Sequence, residues 1–411
     1  MYRYISCFLL LITAGSLQSI ARQNSNELER QIINWLIDQG FENVQVTDEP
    51  KNTTISWENR IYRYETRALA EILQNCPMPQ MGDVTLIPKY LNTPMVTVKV
   101  PAKSIELFRN NSIDYEDLNS QMDFAFQKIK LSNSGISNSS LYKVDLSLEP
   151  QLRLQLGNFN NPVKSMIIIA PTVQMQLHKG LLLTGQAVVA LQNNFNSDNR
   201  ITLGLTTLTK NLRLQHNTFI SVSAGYFTKR RMGLLTEISH YLFNGKFRVN
   251  GQLGHTTQSN LSGEIIEKFL EEQNYTMARV NFDYLIEQYN LFVKVGLGTY
   301  LYQDKGIKLE LMRQFGEVRV GLHGSLNEFE NNAGFNFSLP LIPSRYSKIR
   351  HARIRTARHF NWQYNFRRKK AGTLYKSSEN INFKSTEFNP ILIRNQLLDY
   401  FNSQSHLSKI H

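Results

Sequence analysis

The sequence predicts a mainly β chain: a transmembrane outer-membrane β-barrel of about 12 antiparallel strands, preceded by a small α+β periplasmic domain. Three observations carry this expectation. From Leu141 to about Leu341 apolar and polar residues alternate with a period of two, segment after segment. Several of these segments reach roughly the 9 to 11 residues with which a tilted strand crosses a bilayer, whereas strands of soluble sandwiches average about five or six. The chain opens on an apolar leader, and no later segment has the roughly 18 consecutive apolar residues of a membrane helix.

Residues 1–21 read as a signal peptide. Arg3 is followed by an apolar run from Ile5 to Ala14, and Ser19 and Ala21 supply small residues for cleavage. The run is shorter than the roughly 20 residues a spanning helix needs. Cys7 lacks a lipobox. Removal of the leader leaves Cys76 alone, so the fold is expected to do without an internal disulfide.

Residues 22–135 are expected to form the α+β domain and its linker. In NELERQIINWLIDQGF, Asn26 is placed to cap a helix with Glu29 three residues on, Leu28, Ile32 and Trp35 form a stripe, and Gly40 is a stop. NVQV, TISWENRIYRY, VTLI and MVTVKV read as strands and ETRALAEIL as a helix. LSNSGISNSS, from Leu131 to Ser140, consists of turn formers and marks the linker.

Residues 140–370 carry the alternating pattern. Leu152, Leu154 and Leu156 oppose Arg153 and Gln155. Ala278, Val280, Phe282 and Tyr284 oppose Arg279, Asn281 and Asp283. Leu291, Val293, Val295 and Leu297 oppose Lys294, Gly296 and Gly298. Ile307, Leu309 and Leu311 oppose Lys308 and Glu310, and Val318, Val320 and Leu322 oppose Arg319 and His323. Charges confined to one face suit an aqueous lumen facing away from lipid, and a mean hydropathy of −0.33 fits a wall that meets lipid at every second residue. Arg279, Asp283, Lys294, Lys308, Glu310, Arg319 and His323 are the candidate lumen and ligand residues. Twelve strands are expected to begin near residues 143, 163, 181, 200, 218, 232, 245, 275, 289, 306, 317 and 333, an even number that returns the chain to the side it started from. Threading from the periplasm puts NNFNSDN, the long HTTQSNLSGEIIEKFLEEQN and NEFENN outside, and the tight NG, EQYN and FGE turns inside.

HFNWQYNF alternates too, with Phe360, Trp362, Tyr364 and Phe366 on one face. As a wall strand it makes the count odd, so another strand is hidden nearby or this one lies outside the wall. Residues 371–411 read as an exposed tail with a short amphipathic helix.

The net charge is +13, which fits nucleic acid, anionic lipid or acidic glycan as partner; an exported chain fits nucleic acid least. The positive charge concentrates between Asn331 and Ser378, with eleven Lys or Arg and no acid. Arg345, Lys348, Arg350, Arg353, Arg355 and Arg358 are its candidate residues. They read either as membrane-flanking charge attracted to outer-membrane lipid or as an anion-lined constriction or plug, since guanidinium groups pair bidentately with the carboxylates of an acidic polysaccharide.

The stretch GLGTYLYQDKGIKLELMRQF, Gly296 to Phe315, spaces glycines around Asp304 and Lys305 in the manner of a phosphate loop. A phosphate loop needs a following helix, and IKLELMRQF alternates as a strand, so a hairpin turned at QDKG is expected instead. His178, His216, His240, His255 and His323 are scattered singly, and no H-x-x-x-H, CxxC or G-x-S-x-G pattern occurs. No metal, cofactor or catalytic residue is expected, and the chain does not read as an enzyme. A general porin or structural barrel is the alternative to a polymer-specific one.

With these residues in view, the chain resembles the YjbH family of outer-membrane exopolysaccharide and capsule proteins. The resemblance rests on GTYLYQDKGIKLELMRQFGEVRVG, supported by ENRIYRYETRAL, AGYFTKRRMGLLTEISHYLFNGKF and FSLPL. It implies a compact member with a non-enzymatic role in exporting or assembling an extracellular polysaccharide. The implied partners are that polysaccharide and periplasmic or outer-membrane export proteins, and the implied location is the outer membrane with the N-terminal domain in the periplasm.

Overall fold

In the computed structural model the residues described are 27–49, 51–127, 131, 135–158, 161–195, 201–215, 217–258, 274–366 and 372–408. The expected signal peptide, the Asn26 cap and the RRKK run lie outside them, as do residues 259–273 of the long loop.

Helix α1 covers 27–39 and buries Ile32 and Leu36. It ends where expected: Gly40 adopts φ +96°, and the Gly40 and Phe41 amides both donate to the Leu36 carbonyl, at 3.1 and 2.9 Å. A sheet follows, made of β1 (Glu42–Glu49), β2 (Asn52–Glu58), β3 (Asp83–Tyr90), β4 (Thr93–Pro94), β5 (Thr97–Pro101) and β6 (Asp123–Ala125). Its order is β1-β2-β3-β5-β6, with β4 on β3. Strands β2 and β3 are parallel, which requires a crossover; helix α2 (Glu65–Asn75) supplies it. Helices α3 (Ala102–Arg109) and α4 (Tyr115–Ser120) complete the layer. Cys76 is fully buried in this core.

The second sheet contains β7 (Val144–Asn158), β8 (Asn161–His178), β9 (Leu181–Asn193), β10 (Ile201–Arg213), β11 (Thr218–Phe227) and β12 (Arg231–Leu242). It continues through β13 (Phe247–Gln258), β14 (Tyr275–Ile286), β15 (Leu291–Thr299), β16 (Lys305–Phe315), β17 (Val318–Asn327) and β18 (Asn332–Pro340). These twelve antiparallel strands begin within a few residues of the expected starts. Two more lie at the ends of the ladder: β19 (Ala352–Thr356), parallel to β7, and β20 (His359–Asn365), antiparallel to β18. The unlisted strand that the odd count required is β19.

The expected closed barrel needs a correction. The ladder is an open path of fourteen strands, β19 at one end and β20 at the other. The reason is local. Only Ala357 and Arg358 separate the end strands, and these two residues bond opposite edges: the Ala357 amide donates to the Leu148 carbonyl of β7 at 2.9 Å, while the Arg358 carbonyl accepts from the Leu341 amide at 3.0 Å. One stretch of chain therefore reaches both edges of the sheet. On β20, Trp362 and Tyr364 register with Phe337 and Phe335, and their rings lie 5.4 to 5.6 Å apart, within the range of favourable aromatic pairs.

The NG, EQYN and FGE turns face one rim, called here the near rim, and the N-terminal domain packs against it. Arg213 donates to the Pro94 carbonyl at 2.8 Å, Asn244 to that of Phe124 at 2.6 Å, and Arg63 to Glu317 at 2.8 Å. The turns at Thr228–Arg230 and Leu301–Gln303 and residues 328–331 face the opposite, far rim.

The C-terminal expectation also needs correcting. Residues 372–401 are not an exposed tail. Helix α5 (Ile381–Glu387) is largely buried, and helix α6 (Pro390–Ser408) buries Leu392, Ile393, Leu397 and Phe401. Ile393, Leu397 and Phe401 share one core with Ile32, Leu36 and Trp57, and Phe401 stacks on Tyr115 at 4.3 Å. Apolar positions in α6 had a partner waiting in the N-terminal domain, which no local pattern announces.

Asp145 of β7 ties the end strand to the sheet: its carboxylate accepts from Arg353 at 2.8 and 3.1 Å and from Arg355 at 3.0 Å. Breaking a buried ion pair from one side costs about 3–5 kcal/mol. Asp145→Asn is therefore expected to lower stability by about that much in urea denaturation of the extracted protein, whereas exposed Arg350→Ala should change it by less than about 0.5 kcal/mol.

Candidate functional site

The large sheet is built inside out relative to a water-soluble one. Its apolar positions face outward: Leu203 is 48% exposed, Leu253 59% and Leu322 62%. Its polar positions face inward, with Thr184, Thr209, Ser221 and Ser239 at 0%. Buried polar groups need partners, and across the strands they supply each other. Arg248 on β13, Asp283 on β14, Lys294 on β15, Glu310 on β16 and His323 on β17 fall opposite one another in register, forming a row of alternating charge. Opposite charges placed directly across strands stabilise the pairing.

The remaining partners come from residues 372–389, which lie along this polar face from the far rim to the near rim. At the far rim the Gly372 amide donates to Asp304 at 2.6 Å and Leu301 donates to the Thr373 carbonyl at 3.0 Å. Tyr375 packs beside Phe227, Leu235 and Met277. Further down, Ser378 meets Thr207 at 3.2 Å, Asn382 donates to Ser221 at 2.9 Å, and Tyr241 meets Ser385 at 2.9 Å. Near the opposite rim Glu387 pairs with Lys384, Arg319 and Arg358 at 2.8, 3.7 and 3.8 Å. Asn389 then donates to the Gly245 carbonyl at 2.7 Å and opens α6 by capping it, its side chain accepting from the Ile391 amide at 3.0 Å.

Where this segment, the N-terminal domain and β19 meet, a cavity of about 60 Å³ is enclosed, room for a few water molecules. Five carboxylates (Glu58, Glu65, Asp145, Glu379, Glu387) and six cations (Arg60, Lys89, Arg353, Arg355, Arg358, Lys384) line it. The charges nearly balance, so the cluster is a structural junction.

The sequence profile of the exopolysaccharide biosynthesis protein YbjH, family YjbH, matches residues 13–204 and 195–336 of this chain. The chain belongs to the YjbH family. A comparison with curated proteins finds no match.

The matched region of this YjbH-family chain contains the Gly296–Phe315 hairpin, and its geometry differs from the QDKG expectation. The turn is Leu301–Gln303, with Tyr302 and Gln303 at φ +67° and +62°. Asp304 is fully buried below it and accepts from the side chain of Asn327 at 3.1 Å and the Phe329 amide at 3.2 Å as well as from Gly372. One carboxylate thus joins two far-rim loops to the start of the C-terminal segment. At Gly296 there is no room for a side chain, since a Cβ there would lie 2.5 Å from the Asn281 side-chain oxygen and 2.8 Å from the Arg279 guanidinium.

The candidate residues divide accordingly. Asp283, Lys294, Glu310 and His323 share the charged row. Arg279 lies over the Tyr300 ring at 4.8 Å and donates to Asn281 at 2.6 Å. Lys308 approaches Glu310 at 3.9 Å, each side chain 21% exposed, and His323 bonds Asn365 at 2.8 Å. The basic segment splits in two. Arg353, Arg355 and Arg358 pair with Asp145 and Glu387, which overturns their reading as free anion ligands. Arg345 and Lys348 are exposed but lean on the N-terminal domain, Arg345 donating to Gln39 at 2.9 Å and Lys348 to the Asp38 carbonyl. Arg350 is exposed. Among the described residues, no group of three or more His, Cys, Asp or Glu is placed to hold a metal. The anchors that sequence reading missed are Asp145, Glu387 and Lys384. Asp145 meets Arg353 and Arg355, and Glu387 meets Arg319 and Arg358, far along the chain, while Lys384 pairs locally with Glu379 and Glu387.

In the N-terminal domain, burial pushes the Glu65 carboxyl up to about 7 although Trp57 donates to it at 2.9 Å. Burial likewise lowers the Lys89 ammonium to about 7. A raised carboxyl pKa gives stability that is complete below about pH 4.5 and is lost as pH rises through about 7. Glu65→Gln should therefore stabilise the protein at pH 8, by on the order of 3 kcal/mol, with the gain vanishing toward pH 4; urea midpoints across this range provide the measurement.

Proposed function

We propose that this YjbH-family protein is a non-enzymatic outer-membrane β-barrel that assists the export or assembly of an extracellular polysaccharide, with the domain at 27–127 in the periplasm. The observation that carries the proposal is the inverted sheet. A continuous apolar face of this size is unfavourable in water and signals a membrane or partner surface, while a polar inner face is the arrangement of membrane barrels. The stretch β19–β20 bonds both edges of the open ladder, which supports a membrane setting because an unpaired strand edge in hydrocarbon leaves backbone groups unsatisfied. The rim that carries the NG, EQYN and FGE turns beside the N-terminal domain fits the periplasmic side. Family membership supports polysaccharide as the cargo or product served.

The C-terminal segment along the polar face favours this reading over a general porin, whose lumen stands open. The near-rim domain is suited to docking periplasmic or outer-membrane export proteins. No nucleic acid, metal or cofactor enters the scheme.

Deletion of the gene is expected to remove surface polysaccharide while its intracellular synthesis continues, and the extracted protein should show heat-modifiable migration on gels. An unchanged glycan coat, or absence of the gel shift, refutes the proposal. Because Thr207 and Ser378 meet at 3.2 Å, the pair Thr207→Cys and Ser378→Cys can lock the C-terminal segment to the wall. If polymer passes along the polar face, the oxidised pair should fail to restore surface polysaccharide and the single Ser378→Cys variant should restore it.

A further inference from the structure

Most cations on the polar face have an acid: Arg248 has Asp283, Arg319 has Glu387, and Lys308 has Glu310. The far rim is different. Arg153 of β7, Lys229 and Arg230 of the β11–β12 turn, and Lys376 of the C-terminal segment are all exposed, and none makes an ion pair with a described residue. They are also close together. The Thr228 amide donates to the Lys376 carbonyl at 3.3 Å and the Lys376 amide to the Thr228 hydroxyl at 2.9 Å. Lys229 keeps solvent contact, yet its ammonium is held below its ordinary range by partial burial in the turn and by the charges of Arg153 and Lys376. Lys376 is in turn within electrostatic reach of Lys308 on the wall below. Like charges gathered without an acid create a positive potential that an anion relieves.

We infer that this far-rim mouth binds a polyanionic glycan, a polymer with repeating carboxylates, held by Arg153, Lys229 and Lys376 and directed toward Lys308. The inference rests on the export reading and names the class of polymer. Repeating carboxylates match cations spread over several strands, and guanidinium and ammonium groups form charge-assisted hydrogen bonds with them. A lipid phosphate fits less well, because Arg153 and Lys308 lie on the polar face, opposite the apolar belt.

The test uses the full chain in nanodiscs of zwitterionic phosphatidylcholine, titrated with polygalacturonate and, as a neutral control, dextran. Polygalacturonate should bind, weaken steeply with added salt, and lose about tenfold or more in affinity in the triple variant Arg153→Gln, Lys229→Gln, Lys376→Gln. A charge-matched variant of exposed lysines elsewhere, Lys51→Gln, Lys103→Gln, Lys179→Gln, should retain binding within about twofold. Heat-modifiable migration reports the folding of each variant. Lys376→Glu alone, expected to weaken binding more than Lys376→Gln, gives a second measurement. Equal binding by the triple variant, equal loss in the charge-matched variant, or equal binding of dextran would overturn the inference. So would a difference between variants seen only with phosphatidylglycerol vesicles, which assigns the mouth to lipid. A deletion without surface phenotype alongside mutation-sensitive polygalacturonate binding sinks the export reading and keeps the site; a clear phenotype with mutation-insensitive binding sinks the site alone.

Discussion

Strands that turn Ser, Thr, Asn and Arg inward create a face that can be neither dry nor unpartnered. Every buried polar group on it must find a hydrogen bond or lose the water it left. Around β13 to β17 the strands solve this among themselves, through the row from Arg248 to His323. Around β10 to β12 they do not, and the segment 372–389 brings the missing groups: Ser378, Asn380, Asn382 and Ser385. Its polar composition is thus dictated by the wall it lies against.

The same constraint explains why Arg353, Arg355 and Arg358 are not a free patch. Arg353, Arg355 and Arg358 enter the interior only with carboxylates beside them, and those acids come from Asp145 on the first strand of the sheet and Glu387 near the chain's end. Buried ion pairs contribute little net stability, but leaving one partner alone is costly. The cluster thus specifies which segments meet, joining the N-terminal domain, both sheet ends and the C-terminal segment around one small cavity.

Much of this was legible in the sequence. Strand period and turn chemistry are local properties, so the starts of twelve strands and the Gly40 helix stop could be read directly. Four of the seven candidate inner residues fall in one register row because alternation fixes the face and hairpin turns fix the register. The rest depends on contacts distant in sequence. Asp145 meets Arg353 across 208 positions, and Asn382 meets Ser221 across 161; nothing near either residue forecasts its partner. The misread turn at Leu301–Gln303 is a different failure, since left-handed Tyr302 and Gln303 occupy positions where Gly or Asn is the ordinary signal. The tail was misjudged because α6 finds its apolar surface on a domain nearly three hundred residues earlier.

The covalent order of the last elements has a consequence for assembly. The stretch that touches both edges of the sheet precedes the segment that fills the polar face, and α6 anchors that segment to the domain at the very start of the chain. Helices α1 and α6 therefore share one core although more than three hundred residues separate them, so that core cannot be completed before α6 exists. A chain that stops short of residue 372 lacks the groups that satisfy β10 to β12 and the helix that completes the domain. The packing of the N-terminal domain and that of the polar face are thus completed by the same late stretch of chain.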